Sequence, residues 1–159
     1  MVQLDQTEIA EITTKSTKDP IIQFSLFFDG KQSALATLLG ALNNAHVTIL
    51  AINFLENSET GVIRCIVNYP EIARKIFEKF FIHFYETTVV GIEVDRADDM
   101  PKILNEIFSA EVKLQYAYPL ITRPNNKIGL ILQTENNNFV SQMLQRTGKK
   151  IITQNDIAR

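Results

Sequence analysis

Ile22-Gln23-Phe24-Ser25-Leu26-Phe27-Phe28-Asp29-Gly30 and Val90-Gly91-Ile92-Glu93-Val94-Asp95-Arg96 decide the fold. In the first, Ile22, Phe24, Leu26 and Phe28 alternate with Gln23 and Ser25; in the second, Val90, Ile92 and Val94 alternate with Gly91 and Glu93. A period of two sends alternate side chains to one face, so both read as half-buried strands entering an acidic turn. A helical face follows each. Leu35, Leu38, Leu39 and Leu42 stand at i, i+3, i+4 and i+7, and Met100, Ile103, Leu104 and Ile107 repeat that spacing about 65 residues later. The chain therefore contains an internal duplication.

Working outward, Val47-Thr48-Ile49-Leu50-Ala51-Ile52-Asn53-Phe54 and Val112-Lys113-Leu114-Gln115-Tyr116-Ala117-Tyr118 read as second strands. Turn-forming Asn57-Ser58-Glu59-Thr60-Gly61 leads into residues 62–67, and Arg123-Pro124-Asn125-Asn126 into 128–132, which predicts a hairpin in each half. Ile72, Ala73, Ile76, Phe77 and Phe80 give a second helical face, matched by Phe139, Val140, Met143 and Leu144. Runs at 82–89 and 150–153 supply fourth strands. The order is β-α-β-β-α-β, twice.

Right-handed crossovers place both helices of such a unit on one side of its sheet. The expected architecture is α+β: two tandem ferredoxin-like units, each an antiparallel sheet with helices on one face and the other face left for solvent or a neighbour. Residues 1–19 read as a polar tail, 20–87 as the first domain and 88–159 as the second. Glu86-Thr87-Thr88 offers no linker, and each unit is near the lower size limit for a self-sufficient core. The halves are therefore expected to share an interface through sheet edges or helix faces.

Hydrophobic residues make 45% and charged residues 21% of the chain, values that place it among ordinary globular proteins. Apolar runs reach strand length only, and the N-terminus lacks a secretion signal's basic start, so no membrane association is expected. The single cysteine, Cys65, rules out an intramolecular disulfide and fits a reducing cytoplasm. A formal net charge of -2 gives no electrostatic attraction for nucleic acid.

Catalytic constellations are not evident. His46 and His83 lie in different elements without metal-ligand spacing, and no Gly-rich phosphate loop or nucleophile elbow occurs. Cys65 sits within an apolar strand and reads as a packing residue. Asp98-Asp99 before Met100-Pro101 reads as a helix cap, with Ser33 a similar helix start in the first half. Tyr116 and Tyr118 share one sheet face by alternation, but Lys127-Ile128-Gly129-Leu130-Ile131-Leu132 lacks the basic-aromatic pattern of an RNA-reading strand. No enzyme, cofactor or metal is expected.

The duplicated pattern, the acidic turn after each first strand, the helix endings Asn-Asn-Ala-His-Val and Ser-Ala-Glu-Val, and Gln115-Tyr116-Ala117-Tyr118-Pro119-Leu120 resemble a small protein of two tandem ACT domains. That resemblance implies a regulatory protein binding an amino acid or similar small metabolite at domain or subunit interfaces, and a homodimer is expected. It places the ligand at the turn between first strand and first helix, with second-strand contacts. On this chain those positions are Asp29, Gly30, Lys31, Gln32, Ser33 and Ala34 with Asn53, and Asp95, Arg96, Ala97, Asp98 and Asp99 with Tyr116 and Tyr118. Many members have Pro-Gly in the turn where this chain has Gln32-Ser33 and Asp98-Asp99, and the three acids of the second turn would repel a carboxylate, so the first turn is the favoured one. The alternative is a ligand-free module that docks on a partner enzyme.

Overall fold

The computed structural model describes residues 19–28, 32–56 and 61–158, with the backbone alone at Gln32, Ser33 and Glu56. The first repeat runs β1 (Ile21–Phe28), α1 (Gln32–Asn44), β2 (Ile49–Glu56), β3 (Gly61–Val67) and α2 (Pro70–Lys79). A long strand follows, β4 (His83–Val94). The second repeat continues with a 3-10 turn (Ala97–Asp99), α3 (Met100–Ser109), β5 (Leu114–Pro119), β6 (Ile128–Thr134), α4 (Asn137–Arg146), β7 (Ile151–Ile152) and α5 (Gln154–Ile157). The duplicated order is as expected, and both units are ferredoxin-like.

β4 departs from the expectation, because 82–89 and 90–94 are one strand rather than two. Thr87-Thr88-Val89-Val90 is a β-branched run with no turn-forming residue to break it. Its first half pairs with β1, from Ile21 opposite Val89 to Phe27 opposite His83. Its second half pairs with β6, from Val90 opposite Leu132 to Val94 opposite Ile128, and with β7. The sheet order is β2-β3-β1-β4-β6-β5, so β4 is the last strand of one repeat and the first of the next. The fourth strand of the second repeat is only the pair Ile151–Ile152; α5 follows, started by a reciprocal cap between Thr153 and Asp156.

Three apolar layers result. Phe24, Leu26, Ile63, Cys65 and Val67 pack under α1 and α2 with Leu38, Leu42, Ala73 and Phe77. Val90, Ile92, Val94, Leu130 and Leu132 pack under α3 and α4 with Ile103, Ile107, Val140 and Leu144. The third layer joins Ile21, Leu50, Ala51, Ile66 and Val89 to Tyr118, Leu120, Ile131, Ile152 and Ile157. The repeats are therefore joined along the sheet edge by the shared strand β4, as expected, and they meet as well through the sheet faces opposite their helices. Those faces carry Ile21, Ile66 and Ile131, whose removal from water stabilises the arrangement by about 1.5–3 kcal/mol each. Ile121 N–H donates to the Leu50 carbonyl at 2.7 Å and Gln154 N–H to the Asp19 carbonyl at 3.0 Å, adding backbone ties between the halves.

Gly91 sits where the shared strand passes between β1 and β7. A Cβ there would lie 2.5 Å from Ile21 Cδ1 and 3.2 Å from Ile152 Cβ, so glycine permits the close approach. The four main helices also close alike. His46, Phe81, Glu111 and Gly148 take φ of 56, 54, 57 and 83°, just beyond α1, α2, α3 and α4. After α1, α2 and α4 the next N–H reaches back to the carbonyls of Leu42, Phe77 and Leu144, each at 2.9 Å, satisfying groups the helix end leaves free. Only the fourth of these turns uses glycine, so the repeat is clearer in backbone shape than in residue identity. No helix among the described residues is long and apolar enough to cross a membrane.

Candidate functional site

Of the predicted first turn, Asp29, Gly30 and Lys31 lie outside the described residues, as do the side chains of Gln32 and Ser33. Ala34 is exposed in the first turn of α1, and Asn53 is half-buried in β2.

The second turn is laced with ion pairs. Lys127 reaches Asp95 at 2.7 Å, Arg96 reaches Asp98 at 3.2 Å, and Lys102 lies 3.8 Å from Asp99. The Lys127 hydrogen bond, then its charge, holds the Asp95 carboxyl below its ordinary range. Asp98 and Asp99 do not cap α3 through their side chains. The 3-10 turn precedes the helix, and Asp99 itself has helical φ/ψ, so its carboxylate is not aimed at the free N–H groups of the first turn. Beside this turn lies a cleft of about 330 Å³ lined by Glu93, Asp95, Asp99, Lys102, Glu106, Lys149 and Lys150. Lys150 pairs with Glu93 at 2.7 Å and Lys149 with Glu106 at 3.7 Å, so both signs of charge there are paired.

A different group forms where the two sheets face each other. Alternation does place Tyr116 and Tyr118 together, stacked with centroids 6.2 Å apart and planes 17° from parallel. Facing them from β1 is Gln23, only 1% exposed. Its Nε2 donates to the Tyr116 oxygen at 2.8 Å, and the Tyr118 hydroxyl donates to its Oε1. Burial, with the neighbouring Tyr116 next in effect, pushes the Tyr118 phenol upward, so it stays a neutral donor. The Arg64 guanidinium lies over the Tyr116 ring, 3.7 Å from its centroid. Arg64 in β3 stands opposite Asn53 on one side and Ser25 on the other.

The structure thus gathers Tyr116, Tyr118 and, through Arg64, Asn53, while Arg96 and Asp98 remain at the distant surface turn. Sequence reading passed over Gln23 and Arg64. A signal existed: Arg64 is the lone charge inside Val62-Ile63-Arg64-Cys65-Ile66-Val67. Gln23→Leu should lower stability by about 1–3 kcal/mol, because both phenol oxygens lose their protein partner inside the interface. Urea unfolding measures this, and an unchanged midpoint would mean that water replaces the amide.

Cys65 is buried in the first helix-facing core, and burial pushes its thiol up to about 12. That suits packing rather than nucleophilic attack. His46 and His83 are both exposed, on separate elements.

A family model described as an ACT domain pair matches residues 20–159. No curated protein matches the chain. Among solved structures, protein BT0572 from Bacteroides thetaiotaomicron is similar with a TM-score of 0.79 and 22% identity, over 88% of this chain and 96% of that one. The ligand-free regulatory subunit of aspartate kinase from Thermus thermophilus gives a TM-score of 0.55 and 12% identity, over 81% and 93%. The corresponding subunit from Thermus flavus gives 0.52 and 10%, over 82% and 94%. At these identities the likeness is one of fold.

Proposed function

Because this chain belongs to the ACT domain-pair family, we propose that it is a non-enzymatic regulatory protein that binds an amino acid or related small metabolite and relays its level to a partner enzyme. The observation that carries this reading is the match to a domain pair over residues 20–159. Regulatory subunits of aspartate kinase share the fold, which supports a role through association. The site chemistry agrees with binding: the half-buried Arg64 guanidinium beside the Tyr116 ring is a group suited to orienting a ligand, whereas the buried thiol of Cys65 is protonated and packed. Work in the cytoplasm as a homodimer belongs to the same proposal.

Selective binding to the folded state raises its melting temperature, the stabilisation growing with the logarithm of ligand excess over Kd. A thermal-shift screen of the twenty amino acids should therefore raise it for at least one, with calorimetry giving a saturable isotherm. A flat response to all twenty at millimolar concentration in both measurements would contradict the proposal.

A further inference from the structure

The sheet face of the first repeat is covered by the second repeat over only part of its length. Gln23, Ala51 and Ile66 are buried beneath it. The next row across the strands is Asn53, Arg64, Ser25 and Tyr85, and the one beyond is Leu55, Val62, Phe27 and His83. Arg64, Asn53 and Ser25 are half-buried, whereas Tyr85 is 63% and Leu55 39% exposed. Arg64 therefore stands at the margin where cover ends.

Its setting is that of an anion reader. The guanidinium carbon lies 3.7 Å from the centroid of the Tyr116 ring, a cation–π contact that restrains its position. None of the ion pairs among the described residues uses Arg64. A half-exposed guanidinium held in place in this way has the geometry to receive a ligand carboxylate. Tyr116 accepts from Gln23 and so keeps its own proton to donate, while Asn53 and Ser25 flank Arg64 in register. The adjacent row offers the apolar surfaces of Leu55, Val62 and Phe27, with Phe27 edge-on to Tyr85 at 5.5 Å. Two residues along a strand span about 7 Å, close to the reach from a carboxylate to the end of a leucine or phenylalanine side chain.

We propose that this margin binds a carboxylate joined to an apolar side chain, with Arg64 gripping the carboxylate and Leu55, Val62 and Phe27 receiving the side chain. This deepens the metabolite-binding reading and rests on it. Fork-shaped pairing of guanidinium with carboxylate supplies both affinity and orientation. The charged cleft beside α3 takes no part.

Calorimetry with leucine, phenylalanine, glycine and isoamylamine, on the full chain and on Arg64→Met and Arg64→Lys, tests this. Leucine or phenylalanine should bind, with glycine and isoamylamine at least about tenfold weaker, since each lacks one of the two recognised parts. Arg64→Met should weaken leucine or phenylalanine by about tenfold or more, and Arg64→Lys should weaken it less, keeping the charge without the fork. Circular dichroism and melting without ligand establish that each variant folds; should Arg64→Met fail to fold, Arg64→Lys carries the comparison, and a wild-type Kd in it overturns the proposal. Amino-acid binding indifferent to Arg64, or equally strong for isoamylamine, overturns this site while leaving the regulatory reading intact. No binding by any amino acid overturns both.

Discussion

Phe77→Ala is expected to lower the unfolding free energy by about 3–5 kcal/mol, the usual range for emptying an aromatic site in a core. Phe77 is fully buried on α2, with its ring 5.1 Å from Phe24 and 5.5 Å from Phe84. Edge-to-face contact with Phe24 adds to the area term, and both neighbours belong to paired strands that cannot easily collapse inward. Arg74 and Glu86 also tie α2 to β4, but that pair is about one-third exposed and is a minor contribution beside the ring. Urea unfolding gives the measurement. A loss below about 1 kcal/mol would show that the pocket closes after truncation.

Ile131→Ala should cost about 2–5 kcal/mol, although this side chain lies outside the layer that packs under α3 and α4. Ile131 is fully buried and belongs to the layer between the sheets, with Ile21, Leu50 and Ile66 from the other repeat. Were that face solvent-exposed, as a lone ferredoxin-like unit would leave it, truncation would change stability by only about 0.5 kcal/mol. The size of the loss therefore reports whether the faces meet. A near-neutral result in the same urea experiment would separate the two sheets.

Much of the architecture was legible because strand and helix periods differ. Leu38 and Leu42, or Ile103 and Ile107, could only be one side of a helix, and they are buried as their spacing required. Period does not say what covers the opposite face of a sheet. Ile21, Ile66 and Ile131 are strand residues whose destination depends on the other repeat, and no local pattern reports it. The shared strand was obscured for a related reason: 82–89 and 90–94 each satisfied the repeat, and their fusion emerges only when pairing partners on both sides are known. Thr153-Gln154-Asn155-Asp156, in contrast, carried a capping signal for α5 that the strand reading overrode.

The site was less legible. Tyr116 and Tyr118 were found by alternation, but their partner Gln23 lies 93 residues from Tyr116 and meets it only because the sheets face each other. Arg64 was visible as a charge in an apolar run, yet its meaning required the ring of Tyr116 above it. Asp98 and Asp99 misled in the other direction. Acids before a proline at a helix start suggest capping, whereas an intervening 3-10 turn rotates them toward Arg96 and Lys102.

Two repeats that share β4 and an inter-sheet core should behave as one body. Native-state hydrogen exchange on the wild type and Phe77→Ala tests it most directly, read at the Cys65 amide in β3 and the Ile131 amide in β6. Protection at both is predicted to fall by the same free energy, because opening either repeat exposes the common core. Loss of protection at Cys65 with Ile131 unchanged would contradict the account.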